Sequence, residues 1–205
     1  EYFLHRSDDA PLQIIPDGVS HDEALGVFGL TGMTAWFGVN EIGKPKSGDV
    51  FVVSSAAGAT GSIAGQLARA MGCRVVGITS TDEKCQWLTD SIGFNAAINY
   101  THEDWPQHLK KACSGGIDVY FDNAGGDVLN VALDQINDGA RIILCGGISR
   151  YNSTAAQMGP GNYFNLIFRR AKMEGFIVLD YASKFNSAIT SMKPLIASGQ
   201  LKHKA

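Results

Sequence analysis

Residues 49–65, DVFVVSSAAGATGSIAG, decide how this chain is read. Residues 50–53 are a continuously apolar, largely β-branched run, the pattern of a strand buried on both faces of a parallel sheet. Residues 54–61 are almost all small. Ile63, Leu67 and Met71 then recur at i, i+4 and i+8 and open a helix with one apolar stripe. Strand, small-residue turn and helix make the layout of a dinucleotide-binding βα unit, where glycines admit a pyrophosphate and helix N–H groups point at it. The G-x-G-x-x-G positions hold Ala56, Gly58 and Gly61, so the first glycine is replaced. Taken alone, the turn fits a cofactor cradle and a tight strand–helix connection equally well.

The surroundings decide between them. Apolar runs at 50–53, 74–78, 96–98, 117–121, 141–145 and 175–179 alternate with helical patterns near 61–72, 82–92, 104–113, 126–136, 163–172 and 182–198. Six βα repeats with right-handed crossovers predict an α/β fold, a doubly wound six-stranded parallel sheet of Rossmann type ordered 3-2-1-4-5-6. Ahead of the first strand, residues 22–42 read as two helical pieces with a bend at 30–32. Asp82 reads as the N-cap of the helix at 82–92.

Composition narrows the function. A net charge of −3 without a basic block argues against a nucleic-acid surface. No apolar run approaches the ~20 residues a membrane helix needs, and no signal peptide opens the sequence. A cytoplasmic, membrane-free protein is expected. The four cysteines (Cys73, Cys85, Cys113 and Cys145) form no C-x-x-C pair and read as free thiols of a reducing compartment. The five histidines show no ligand spacing, so no metal site is expected.

In an open parallel sheet, ligands bind beyond the carboxyl ends of the strands, where the strand order reverses. After the first strand, the backbone of Gly58, Ala59, Thr60 and Gly61 forms the candidate pyrophosphate cradle. After the second, an NAD enzyme usually places Asp or Glu for the ribose 2′-OH; here stand Thr79, Ser80 and Thr81, with Lys84 following. Hydroxyls and a cation suit a 2′-phosphate and favour NADPH, although Asp82 and Glu83 lie close by. Tyr100 ends the third strand region and Asn123 the fourth, each able to meet the adenosine half or simply to serve structure. Cys145, Gly146, Gly147, Ile148, Ser149 and Tyr151 follow the fifth strand toward the nicotinamide end, and Phe176, Ile177 and Val178 belong to the sixth. No G-x-S-x-G, no base-paired nucleophile and no carboxylate pair is present, so hydride transfer by the cofactor is the simplest chemistry.

The segments AAGATGSIAGQLA, GCRVVGITSTDEKC, GFNAAINY, GIDVYFDNAGG, ARIILCGGISRYN and EGFIVLDY, in this order, resemble the zinc-free medium-chain dehydrogenase/reductases. The likeness is strongest to the leukotriene B4 dehydrogenase/prostaglandin reductase group and its bacterial curcumin reductase-type members. The resemblance implies NADPH-dependent reduction of the C=C bond of α,β-unsaturated ketones or quinones, with hydride delivered to the β-carbon and a proton to the α-carbon. It places the 2′-phosphate contacts on Lys84 and Tyr100, a further cofactor contact on Asn123, and a tyrosine at the cofactor–substrate junction on Tyr151, the candidate catalytic residue. It also implies that residues 1–20 are the tail of an N-terminal GroES-like β domain and 21–205 the NADP-binding domain, with a homodimer paired through the last strand. Two other readings stay open: a non-catalytic dinucleotide-binding module that senses redox state, and the cofactor domain of a zinc-type alcohol dehydrogenase.

Overall fold

The structure, a computed structural model, describes residues 19–151 and 159–202, with backbone only for Arg150 and Tyr151. The segment read as the tail of another domain, and the side chain of Tyr151, lie outside the described residues.

The sheet has the expected order. Strands β1 (Val50–Ser54), β2 (Arg74–Thr79), β3 (Ala96–Asn99), β4 (Ile117–Asp122), β5 (Ile136–Leu144) and β6 (Lys172–Gly175) lie as β3-β2-β1-β4-β5-β6, all parallel. The order reverses between β1 and β4, the place where such a sheet opens a crevice. Helices α1 (His21–Leu25), α2 (Leu30–Phe37), α3 (Ala59–Ala70), α4 (Asp82–Gln86), α5 (Trp105–Ala112), α6 (Gly126–Leu133), α7 (Ile148–Tyr151), α8 (Asn165–Phe168) and α9 (Phe185–Ala197) occupy the connections and flanks.

Alternation along β1 builds two cores, because successive strand side chains point to opposite faces. Phe51 and Val53 face Phe37, Ile63, Leu67 and Met192, while Val52 faces the side that holds Leu109, Leu129 and Leu133. Burial on both faces is why the strand reads as an unbroken apolar run.

Three expectations are corrected. The sixth strand lies at Lys172–Gly175 and not at 175–179; Val178 instead begins a 3₁₀ helix (Val178–Lys184) and is buried in the core. Apolar periodicity cannot tell a short buried strand from a turn packed on the core, and here pairing with β5 through Arg141↔Lys172 to Leu144↔Gly175 made the choice. The N-cap of α4 is Thr81, whose side chain accepts from the Lys84 N–H, and Asp82 is the first helical residue. The break between the first two helices falls at 26–29 rather than at 30–32. Gly29 has extended backbone as the N-cap of α2, and a Cβ there would overlap the Leu25 carbonyl.

Candidate functional site at the strand ends

The turn after β1 is built to bring backbone N–H groups to the surface. Ser55 sits in the left-handed region at φ 49°, Gly58 caps the twelve-residue α3, and Gly58 and Ala59 are exposed while Gly61 is buried. A Cβ on Gly61 would stand 3.0 Å from Ala56 Cα and closer still to the Ser55 carbonyl. Gly61 therefore permits α3 to close onto the turn, whereas Gly58 and Ala59 leave their side of the helix N-terminus open to an anion. Thr60 is half-buried beside them.

The residues expected on the adenosine side lie around the end of β2, and of these Lys84 lines a cavity there while Ser80 and Tyr100 are not among its lining residues. Lys84 Nζ donates to Ser80 Oγ at 3.2 Å, and Lys84 lines a cavity of about 420 Å³ together with Ala57, Gly58, Ala59, Ser62, Glu83 and Trp87. Cradle and cation thus share one space. Tyr100 follows β3 and is 43% exposed, with its N–H on the Thr79 carbonyl at 3.0 Å. If Lys84 meets a 2′-phosphate, Lys84→Ala is expected to cut the preference for NADPH over NADH at least tenfold, read by nicotinamide fluorescence titration.

A buried polar latch clamps the β1 and β4 ends at the switch point. Asp122, 1% exposed, accepts from Ser54 Oγ (3.0 Å), Tyr120 OH (3.0 Å), Ala124 N (3.1 Å) and Gly125 N (3.0 Å) on Oδ1, and again from Gly125 N on Oδ2 at 3.2 Å. Ser54 Oγ in turn accepts from Asn123 N at 2.8 Å and Ala124 N at 3.2 Å, and Asn123 Nδ2 donates to the Ser54 carbonyl at 2.8 Å. The side chain of Asn123 is thereby tied across the crevice through its Nδ2. Sequence reading singled out Asn123 but not Ser54, Tyr120 or Asp122. The available signal was a tyrosine and an aspartate inside an otherwise apolar strand, where an unpaired polar group is costly.

Beyond β4, β5 and β6 lies a larger cavity of about 1050 Å³. Cys145, Gly146, Gly147, Phe176 and Ile177, all expected near the nicotinamide, line it with Asp122 and Gly125. Gly125 and Gly126 take φ values of 69° and 58°, which glycine adopts without strain. Ser149 is drawn away from the cavity onto the Ala124 carbonyl at 2.7 Å, Ile148 is 60% exposed, and Val178 is in the core, so neither Ile148 nor Val178 is among the lining residues. Tyr151 closes α7, with its side chain outside the described residues.

The cysteines are free thiols, Cys73 and Cys113 buried and Cys85 and Cys145 half-buried. Burial, reinforced by the Asp122 charge, pushes the Cys145 thiol up to about 12; burial raises Cys113 to about 12 and Cys73 to about 11. Folding holds these protons above the ordinary thiol value of 9.0, so the folded state binds more protons than the unfolded state above that pH. Their contribution is complete below pH 9 and is lost as pH climbs toward 12. Urea midpoints are expected to fall from about pH 9 to pH 11, and less steeply in Cys145→Ala than in the parent.

Strand order, crevice and cradle define a Rossmann-type dinucleotide-binding domain. Residues 59–193 match the family described as zinc-binding dehydrogenase, and the chain belongs to it. It is 38% identical over 168 residues to the NADPH-dependent curcumin reductase of Escherichia coli (strain K12), covering 80% of this chain and 49% of that protein. It is 44% identical over 164 residues to prostaglandin reductase 1 of Oryctolagus cuniculus, covering 79% and 46%. Among solved structures, CurA in complex with NADPH from Vibrio vulnificus superimposes with a TM-score of 0.89 at 41% identity, covering 97% of this chain and 60% of that one. The chain spans about half the length of the curated relatives it matches. These relatives are the group that the sequence motifs resemble. Among the described residues, no cluster of three or more His, Cys, Asp or Glu is placed to hold a metal ion, and no helix is long and apolar enough to cross a membrane.

Proposed function

We propose that this protein is an NADPH-dependent oxidoreductase that reduces the C=C bond of α,β-unsaturated ketones or quinones. The observation that carries the reading is the shared cavity at the β1 and β2 ends, where the exposed start of α3 at Gly58 and Ala59 stands beside a lysine paired to a serine. That donor set, amides for a pyrophosphate and an ammonium with a hydroxyl for a phosphate monoester, fits a 2′-phosphorylated dinucleotide. The NADPH complex of CurA and the name of the E. coli relative support it.

Within this proposal, Ser80, Lys84 and Tyr100 hold the adenosine end and Asn123 orients a ribose. Cys145, Gly146, Gly147 and Phe176 bound the space for the nicotinamide and substrate. When bound, NADPH supplies the hydride that goes to the substrate β-carbon. The Tyr151 phenol is proposed to donate a hydrogen bond to the substrate oxygen as negative charge develops there. A GroES-like domain preceding residue 21 and a homodimer belong to the same proposal, with β6 as the edge strand in place of residues 175–179.

Side-by-side titration with NADPH and NADH, followed by turnover of a simple enone, tests the reading. Tight NADPH binding with enone-dependent NADPH oxidation is expected. Tight binding with no turnover of any enone or quinone by the intact protein would instead mark a binding module.

A further inference from the structure

Two carboxylates open α4 beside the lysine assigned to the 2′-phosphate, and the structure sends them in different directions. Asp82 Oδ1 accepts from Asn99 Nδ2 at 2.9 Å and faces His102 Nε2 at 3.4 Å, which turns it toward the end of β3. Asp82 is not among the residues lining the cavity at the cradle; Glu83 is. The cavity holds one cation, Lys84, one anion, Glu83, the open amide end of α3 and the Trp87 ring. We propose that Glu83 is a specificity-determining residue that opposes Lys84 and narrows the discrimination between NADPH and NADH. This inference rests on the proposed cofactor site.

The physical argument is a charge balance over one atom group. Glu83 is ionised at neutral pH: its own backbone N–H and the Thr81 hydroxyl hold its carboxyl below the usual range. NADPH and NADH differ only at the ribose 2′ position, a phosphate dianion in one and a hydroxyl in the other. A dianion is attracted by Lys84 and repelled by Glu83, so the two side chains act on the same difference with opposite sign. A hydroxyl carries no charge to be repelled and can donate to a carboxylate, the role that an acidic residue after the second strand serves in NAD enzymes. Because the groups are exposed, the repulsion is modest and screened by salt. Asp82, turned toward Asn99 and not lining the cavity, acts less on the 2′ group than Glu83 does.

The test is binding, read by nicotinamide fluorescence with the intact protein. At about 20 mM salt, Glu83→Gln is expected to tighten NADPH by about three- to fivefold and to move NADH less than about twofold. The gain shrinks at about 0.5 M salt, where the screening length falls to a few ångströms. Glutamine keeps an acceptor for the Thr81 hydroxyl and so spares the start of α4. Glu83→Ser, measured in parallel, must shift the NADPH/NADH ratio the same way, and Asp82→Asn must leave it within about twofold. If both nucleotides bind the parent and neither Glu83 variant raises the ratio, the role of Glu83 is overturned while the proposed function stands. If the parent binds neither nucleotide, both are overturned.

Discussion

Asp122→Ala is expected to be among the most damaging single substitutions in this chain, lowering stability by about 3–5 kcal/mol. The aspartate is 1% exposed, and its removal takes the acceptor from the buried hydroxyls of Ser54 and Tyr120 and from the half-buried Gly125 N–H, while the Ala124 N–H keeps only Ser54 Oγ at 3.2 Å. A buried donor without a partner keeps its desolvation cost and loses the bond that offset it. Denaturant unfolding measures the loss directly. Asp122→Asn separates shape from charge: its Oδ1 still accepts, but its NH₂ faces the Gly125 N–H where Oδ2 accepted at 3.2 Å. It should fall between parent and alanine in stability. Since the latch ties the end of β1, which leads into the cradle, to the turn that carries Asn123, the asparagine variant should also bind NADPH more weakly. An alanine variant as stable as the parent would show that the latch contributes nothing.

Gly61→Ala should be almost as costly, at about 2–4 kcal/mol, for a steric rather than a polar reason. The added methyl would meet the Ser55 carbonyl and stand 3.0 Å from Ala56 Cα, and both are backbone. A flexible side chain could step aside; a turn pinned by Ser55 at φ 49° and by the Ala56 N–H on the Ile78 carbonyl at 3.0 Å cannot do so cheaply. The only relief is to lift α3 away from the turn, which opens the core beneath Ile63 and displaces the amides of Gly58 and Ala59. Thermal denaturation and NADPH titration should therefore deteriorate together. Gly58→Ala is the contrast, since its Cβ would meet only the Ser55 carbonyl at 3.2 Å, and its stability loss should be much smaller. Equal losses for the two glycines would refute the packing role given to Gly61.

Sequence periodicity by itself determined the class of fold and the order of its strands. Residues 50–53, 74–78 and 117–121 read as strands buried on two faces, and the helical patterns between them pointed to parallel pairing in a doubly wound sheet, which the structure has. The pairing expected at the adenosine side was equally local: Ser80 stands just before the Thr81 cap and Lys84 in the first turn of α4, four residues on, at 3.2 Å. Tertiary structure decided what depends on residues far apart in the chain. The Ser54–Asp122 bond joins positions separated by 68 residues, and nothing in either neighbourhood marks them as partners. The fate of residues 175–179 was settled by whether β5 had room for a longer neighbour. The orientation of Asp82 depended on Asn99, 17 residues beyond it at the end of β3. Local propensity and pattern are carried by near neighbours along the chain, whereas the partners of a buried polar group are set only when the sheet closes.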